Sequence, residues 1–389
     1  MSELPAGAPQ SAAEATILAR LSLLDRFLPL WILLAMATGL LLGRHFPWLQ
    51  GALDAVKLGQ TSLPIALGLL LMMVPVLAKV RYEELGRGLK RGGLLPLCLL
   101  LVWGVGPLLM FSLAWLCLAD QPELRTGVIL IGIAPCIAMV LIWIDLAAGD
   151  RESAALLVAI NAILQVLGYA LLANLYLQQL PRWLGLQGQI VSFSTAEIGK
   201  AVLIFLGIPL VLGYLIRRIG LRLKGRRWYE QRFLPRLSPW SLVGLLFTIV
   251  VMFALQGEVI TSTPLLVLRV ALPLLLYFAV MWGLAFSLGQ RSGLAYGQCA
   301  TLAFTAAGNN FELAIAVSVS VWGVTSGQAL AGVIGPLIEV PVLVALVYVS
   351  LWLRRRLFPG IGPACTGPAG AGPAGADPAG AGGGRRLDT

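Results

Sequence analysis

Three places in this chain set a chemically capable side chain beside a break in an apolar run. In IGIAPCIAMVLIWIDLAAGD, residues 131–150, the thiol of Cys136 directly follows Pro135, and Gly132 lies just upstream. In AFTAAGNNFELAIAV, Gly308, Asn309, Asn310 and Glu312 fall within five residues. In GPLIEVPVL, Glu339 stands between Pro336 and Pro341. Proline has no backbone N–H and its ring clashes with the turn before it, so Pro135 interrupts a helix at the thiol. An acidic side chain at the centre of an apolar segment costs about 2.5–3.5 kcal/mol on insertion scales, and its default reading is functional. Such a carboxyl is tolerated when protonated and resisted when ionised, which suits it to carry a proton. Glu312 is the first candidate for that role and Glu339 the second. The alternative for Glu312 is a permanently protonated carboxyl bonded to the segment around Pro135. Position alone leaves Cys136 open to two readings, a small apolar filler or a sulfur offered at a break. Asn309 and Asn310 can satisfy backbone groups opened by the break, and those groups can also face a polar solute.

The elements that hold these residues are set by composition. The chain has 389 residues, 58% hydrophobic and 12% charged, with a mean hydropathy of +0.87. The charged share is about half of the ~25% usual for soluble domains, so the chain reads as an all-α integral membrane protein. Ten apolar segments have the roughly 17–25 residues a bilayer-spanning helix needs. They lie within 27–43, 61–78, 94–118, 126–147, 153–177, 199–217, 239–256, 264–288, 295–319 and 327–353. The net charge of +10 does not point to nucleic acid, because the basic residues collect in short connections. These are Lys79 to Arg91, Arg217 to Arg236, and Arg354 to Arg356. With ten spans all three fall on one side, facing outer loops that hold only Arg44, Lys57, Arg125 and Arg182. The positive-inside rule then places both termini in the cytoplasm.

The chain divides into a leader (1–26), a first five-helix repeat (27–177), an extracytoplasmic connection (178–198), a second repeat (199–353) and a tail (354–389). Segment starts in the second half follow those in the first at a nearly constant offset. Five spans per half is an odd number, so the second half enters from the opposite side as an inverted repeat, the architecture of many secondary transporters. Cys136 and Glu312 occupy equivalent positions in the two halves. The leader has acidic residues and no basic start, unlike a secretory signal. The Gly/Pro/Ala-rich tail lacks the apolar content for a core and reads as disordered. Of the five cysteines, Cys98, Cys117 and Cys299 read as core filler, and Cys365 lies in the tail; no pair has metal-ligand spacing. Arg269 and Lys200 read as snorkelling at outer helix ends, and Asp145, Asp150 and Arg151 as interfacial.

APCIAMVLIWIDLAAGD, GNNFELAIAV and GPLIEVPVLVALV together closely resemble the arsenite efflux permeases of the arsenical-resistance-3 type, within the bile acid:sodium symporter superfamily. The resemblance covers the ten-helix region and leaves out the leader and tail. It implies a core domain and a panel domain, with broken helices four and nine crossing at the site. It implies extrusion of trivalent arsenic, and in some members antimonite, in exchange for protons. The family's essential thiol falls on Cys136 and its essential acidic residue on Glu312. Pro135, Asn309, Asn310 and Glu339 then support the broken-helix site. Asn161, in AINAILQVLGYALL, departs from the family pattern, where an acidic residue is common; a charge role at that position is thereby in doubt.

The resulting expectation is a plasma-membrane proton antiporter with no cofactor and no permanent metal, As(III) being the substrate. A single thiol can bind the metalloid and still release it. Cys299 lies about 20 Å along a helix from Glu312, too far to add a second sulfur. The rival reading is a sodium-coupled organic anion symporter on the same scaffold, for which Cys136 would be superfluous. A channel fits one buried acid less well, and no HExxH, GxSxG or Walker A sequence supports an enzyme. Oligomeric state is not legible.

Overall fold

Apolar runs bring few side chains that could satisfy their backbone, so they must pair it within the run, and helices do so. A computed structural model describes residues 27–46, 48, 57–58, 61–84, 93–186 and 193–358. The expected leader, the tail beyond Phe358, residues 187–192 of the central connection, and Arg87, Lys90 and Arg91 lie outside the described residues.

Apart from one short ribbon, the described regular structure is helical. Helix α1 is Leu28–His45. Strands β1 (Lys57–Leu58) and β2 (Thr61–Ser62) pair antiparallel, and α2 is Leu63–Lys79. The ribbon corrects the expectation of an uninterrupted helix from residue 61. Pro64 favours the first turn of a helix, where its missing N–H is not needed, and the helix starts at Leu63. Then come α3 (Leu94–Cys117), α4 (Pro122–Gly132), α5 (Val140–Leu146) and α6 (Arg151–Trp183). Helix α7 begins as Thr195–Val202, passes through a π-helical turn at Leu203–Gly207 and continues as Ile208–Trp228. It kinks at Gly225, whose φ of +77° suits glycine. The last five are α8 (Leu234–Ser262), α9 (Pro264–Arg291), α10 (Tyr296–Ala307), α11 (Phe311–Trp322) and α12 (Gly327–Leu357).

Among the described residues, five continuous helical stretches are long and apolar enough to cross a membrane: Leu94–Cys117, Arg151–Trp183, Thr195–Gly257, Pro264–Arg291 and Gly327–Leu357. Large apolar side chains face outward along them, such as Leu167 and Leu171 on α6, each 67% exposed. In water such stripes would be a liability; against acyl chains they are the expected surface.

The helices pack in two groups. In one, α8 lies along α1 and α2, and α7 along α2. In the other, α9 to α12 pack with α3, α4 and α6, and the first turns of α7, Thr195–Val202, reach into this group against α6 and α11. Gln256 of α8 donates to the Val324 carbonyl before α12 at 2.5 Å, a polar tie between the groups. Within each group, glycines let backbones touch. A Cβ at Gly39 of α1 would lie 2.6 Å from the Val250 carbonyl oxygen of α8. One at Gly127 of α4 would lie 2.6 Å from the Gln328 carbonyl oxygen of α12.

Arg125 is a second correction. It was expected in an outer loop, but α4 starts at Pro122, and Arg125 is buried in its first turns. Its Nη1 donates to Ala119 O at 2.8 Å, and its guanidinium carbon sits 3.7 Å from the Trp115 ring centroid. Carbonyl and ring together replace the water the charge gives up.

Gly127→Val is expected to overpack the α4–α12 contact and destabilise the protein by about 1–3 kcal/mol. Gly283, with open space around a built Cβ, is the control, and Gly283→Ala should not destabilise. Thermal unfolding of detergent-solubilised protein checks this; an unchanged Tm for Gly127→Val would contradict the close contact.

Candidate functional site

Two helices are interrupted, and the interruptions meet. Helix α4 ends at Gly132, residues 133–139 are non-helical, and α5 resumes at Val140. Helix α10 ends at Ala307 and α11 begins at Phe311, capped by the Asn310 side chain, whose Oδ1 accepts from the Leu313 N–H at 3.0 Å. The two open segments pair as a single antiparallel bridge, Pro135 opposite Asn309. The Cys136 N–H donates to Gly308 O at 2.9 Å, and the Asn310 N–H to Ala134 O at 2.8 Å. Both bonds flank the bridged pair, so the register asks no donor of Pro135, which has none.

The carbonyls left over are taken by α6. Gln165 Nε2 donates to Pro135 O at 2.7 Å, and its Oε1 accepts from Asn310 Nδ2 at 2.8 Å. The Tyr169 hydroxyl donates to Leu130 O at 2.9 Å, near the end of α4. One glutamine thus ties both breaks to a third helix. Neither Gln165 nor Tyr169 was singled out from the sequence. The available signal was an uncharged polar residue inside the apolar run AINAILQVLGYALL, where only Asn161 drew attention. Asn161 is half occupied: its Oδ1 accepts from Trp103 Nε1 at 3.0 Å, while its Nδ2 is buried without a partner among the described residues.

The expected site residues gather at this crossing. Cys136 is fully buried against Gly308. A Cβ built on Gly308 would lie 3.1 Å from Cys136 Cβ and 3.9 Å from Glu339 Oε1, so glycine there lets thiol and carboxyl approach the same point. Glu339 of α12 is fully buried. Glu312, in the first turn of α11, is 5% exposed and borders a cleft between the two helix groups. Ile32 of α1 and Thr248 and Met252 of α8 form one wall of that cleft; Met139 and Pro336 lie with Glu312 on the other. Thr248 and Met139 were not anticipated. Both oxygens of Glu312, both of Glu339, and Asn309 Nδ2 are buried without a hydrogen-bond partner among the described residues. Buried polar atoms are nearly always paired, so such a cluster needs an explanation. The helix N-terminus beside Glu312 favours negative charge.

The remaining candidates are structural or peripheral. Cys299 Sγ donates to Leu294 O at 3.3 Å, away from the crossing. Cys98, Cys117, Cys136 and Cys299 are free thiols. Asp145 pairs with Arg151, while Asp150 caps α6 by accepting from the N–H groups of Glu152 and Ser153. Arg269 pairs with Asp120 in the connection between α3 and α4 and holds that carboxyl below the usual carboxylate range. Lys200 is exposed near the start of α7.

Comparison with known proteins places the geometry in context. Residues 66–263 match the model of the Sodium Bile acid symporter family. The chain is 56% identical over 341 residues to the Arsenical-resistance protein Acr3 of Corynebacterium glutamicum, covering 88% of this chain and 92% of that one. It is 32% identical over 337 residues to the Arsenical-resistance protein Acr3 of Alkaliphilus metalliredigens, covering 84% and 92%. An uncharacterized transporter of Synechocystis is 34% identical over 358 residues, covering 86% and 91%.

Gln165→Leu strands the Pro135 carbonyl and the Asn310 amide in an apolar interior, at about 1–3 kcal/mol for each unsatisfied group. The variant should unfold at clearly lower temperature than the parent in thermal melts. An equal Tm would mean that the glutamine does not hold the crossing together.

Proposed function

Since the chain belongs to the Sodium Bile acid symporter family, and within it to the arsenical-resistance Acr3 type, it is a multi-pass membrane transporter and not an enzyme, and we propose that it exports trivalent arsenic from the cytoplasm in exchange for protons. Arsenite is the principal substrate, and antimonite has the same thiol chemistry. The observation that carries this reading is the make-up of the crossing: one thiol beside carboxyls whose oxygens have no hydrogen-bond partner among the described residues.

In this reading Cys136 binds As(III) through its sulfur. Arsenous acid is neutral and polar; the Cys136 thiol replaces one hydroxyl on arsenic, its proton leaving with that hydroxyl as water, and water reverses the step on release, so one arsenic–sulfur bond can load the site and still empty it. Glu312 takes up a proton when its cleft faces outward and releases it inside as substrate loads. Glu339, against Gly308 and near the sulfur, and the amides of Asn309 and Asn310 offer hydrogen bonds to the hydroxyls of arsenous acid. Pro135 keeps the segment open. Proton entry supplies roughly 2.3 kcal/mol per charge per 100 mV, enough for a gradient well over tenfold.

The same proposal extends to the architecture. Ten spans form two inverted five-helix repeats, with α4–α5 and α10–α11 as the broken fourth and ninth. The group α1, α2, α7 and α8 is the panel, and the group carrying the crossing is the core. The core moves against the panel, and Glu312 lies at the cleft between them. Both termini face the cytoplasm, and the protein resides in the plasma membrane.

Cys136→Ser should abolish arsenite efflux from cells at unchanged membrane abundance, and retained efflux would remove the thiol from the mechanism. In everted vesicles, arsenite should accumulate under an imposed proton gradient and not under a sodium gradient. Glu312→Gln should uncouple accumulation from the proton gradient by tenfold or more. Uptake indifferent to protons, or driven by sodium, would refute the coupling.

A further inference from the structure

A second cavity lies where α7 passes the turn that follows α2. It is lined by Tyr82 and Glu83 of that turn and by Tyr214, Arg217, Arg218 and Arg222 of α7. None of these residues belongs to the crossing. Gly213 and Gly220 make the packing close. A Cβ at Gly213 would lie 2.7 Å from the Leu77 carbonyl carbon, and one at Gly220 would lie 2.5 Å from the Tyr229 ring. The Tyr229 hydroxyl donates to Ala78 O at 3.0 Å and fixes the far wall.

Arg217 is the unusual member. It is only 2% exposed. Its Nε donates to Glu83 Oε2 at 3.0 Å and its Nη2 to Glu83 Oε1 at 2.5 Å. Burial pushes the Glu83 carboxyl up, but the Arg217 hydrogen bonds, a backbone hydrogen bond and the charges of Arg217 and Arg226 together hold it below the usual carboxylate range. Nη1 of Arg217 is buried and has no hydrogen-bond partner among the described residues. A guanidinium presents five donors in a fixed fork, and here one arm is spent on a carboxylate while the other is left over. Arg218 and Arg222, one helical turn apart, are exposed at the same cavity. Three guanidinium groups and one carboxylate line this space; Glu230 lies just beyond it, 3.6 Å from Arg217 Nη2, and Arg218 Nη1 bonds the Tyr214 hydroxyl, so positive charge is still in excess and the remaining guanidinium donors are free for a ligand. A tetrahedral anion with several acceptor oxygens fits that donor set.

The surroundings indicate what carries the anion. Leu215, Ile219 and Leu223 follow one another at helical spacing on α7 and are 41%, 52% and 75% exposed. An apolar, outward stripe thus runs beside the arginines, as it would for a ligand with a charged head and acyl chains. Basic pockets between helices on the cytoplasmic side are a recurrent way of holding anionic headgroups. We propose that this cavity binds a phosphate group, supplied by the headgroup of an anionic phospholipid seated between α7 and the turn after α2.

The test uses the full-length protein in detergent. Native mass spectrometry with equal amounts of added phosphatidylglycerol and phosphatidylcholine should show the former retained about tenfold over the latter. Arg218→Ser combined with Arg222→Ser, both exposed and neither bonded to Glu83, should bring the ratio near one without lowering the unfolding temperature. Arg217→Gln is the stronger lesion but breaks the Glu83 pair, so the double variant decides. A parallel thermal-shift titration compares inorganic phosphate with chloride at matched ionic strength. Stabilisation by phosphate that the double variant loses, with no preference among lipids, would support the site and assign it to free phosphate. Neither a headgroup preference nor stabilisation by phosphate in the parent protein, or both effects intact in the double variant, would overturn the proposal.

Discussion

A backbone amide or carbonyl left unpaired in an apolar interior costs several kcal/mol, and two helices of this protein open their backbones where they meet. The reciprocal bonds from Cys136 N–H to Gly308 O and from Asn310 N–H to Ala134 O answer that cost with the fewest groups. Much else follows from this pair of bonds. They select a register in which Pro135 needs no donor, and they bring Gly308 against the Cβ of Cys136. They also leave room for Glu339 at the same glycine. Gln165 completes the arrangement by meeting the Pro135 carbonyl on one side and the Asn310 amide on the other. The backbone at the crossing is well paired, whereas the acidic side chains around it are not, and that contrast sets it apart from an ordinary helix kink.

How much of this could be read from the residues depends on whether the cause was local. Pro135 and the Gly308-Asn309-Asn310 run break helices through their own chemistry, and both interruptions could be placed from sequence. So could the gathering of Cys136, Asn309, Asn310 and Glu312, because the spacing within the two halves matches. The partners that satisfy the breaks could not. Gln165 acts across 30 residues to Pro135 and across 145 to Asn310, and nothing local marks it. The approach of Glu339 to Cys136 is likewise visible only once α12 is folded against Gly308. Arg125 misled because a charge suggested a loop, while Pro122 had already set the start of the helix and the Trp115 ring was there to cover the guanidinium. The start of α2 erred by two residues for the same reason, a proline that belongs to a first turn.

The two helix groups use different means of cohesion from those between them. Within a group, glycines such as Gly39, Gly68 and Gly127 bring backbones or neighbouring side chains into contact, and such fits tolerate little displacement. Between groups lies the cleft at Glu312, walled by apolar side chains and Thr248, with the Gln256 bond to Val324 O as a polar tie. Close fits within and a cleft between are what rigid-body movement requires. The buried Arg217–Glu83 pair belongs wholly to the group without the crossing, where it fastens α7 to the turn after α2.

The pairing of the two breaks also has a consequence for biosynthesis. Cys136 and Gly308 are some 170 residues apart in the chain, and each satisfies the other. At synthesis rates of ~5–20 residues per second, the first interruption leaves the ribosome about 10–30 s before its partner exists. During that interval the nascent protein holds an open backbone segment with no counterpart, so the insertion machinery, water or a chaperone must shelter it. Completion of the second half is then what lets the first half leave that shelter. The junction of α10 and α11 therefore supplies groups that the first interruption lacks until that part of the chain has been made.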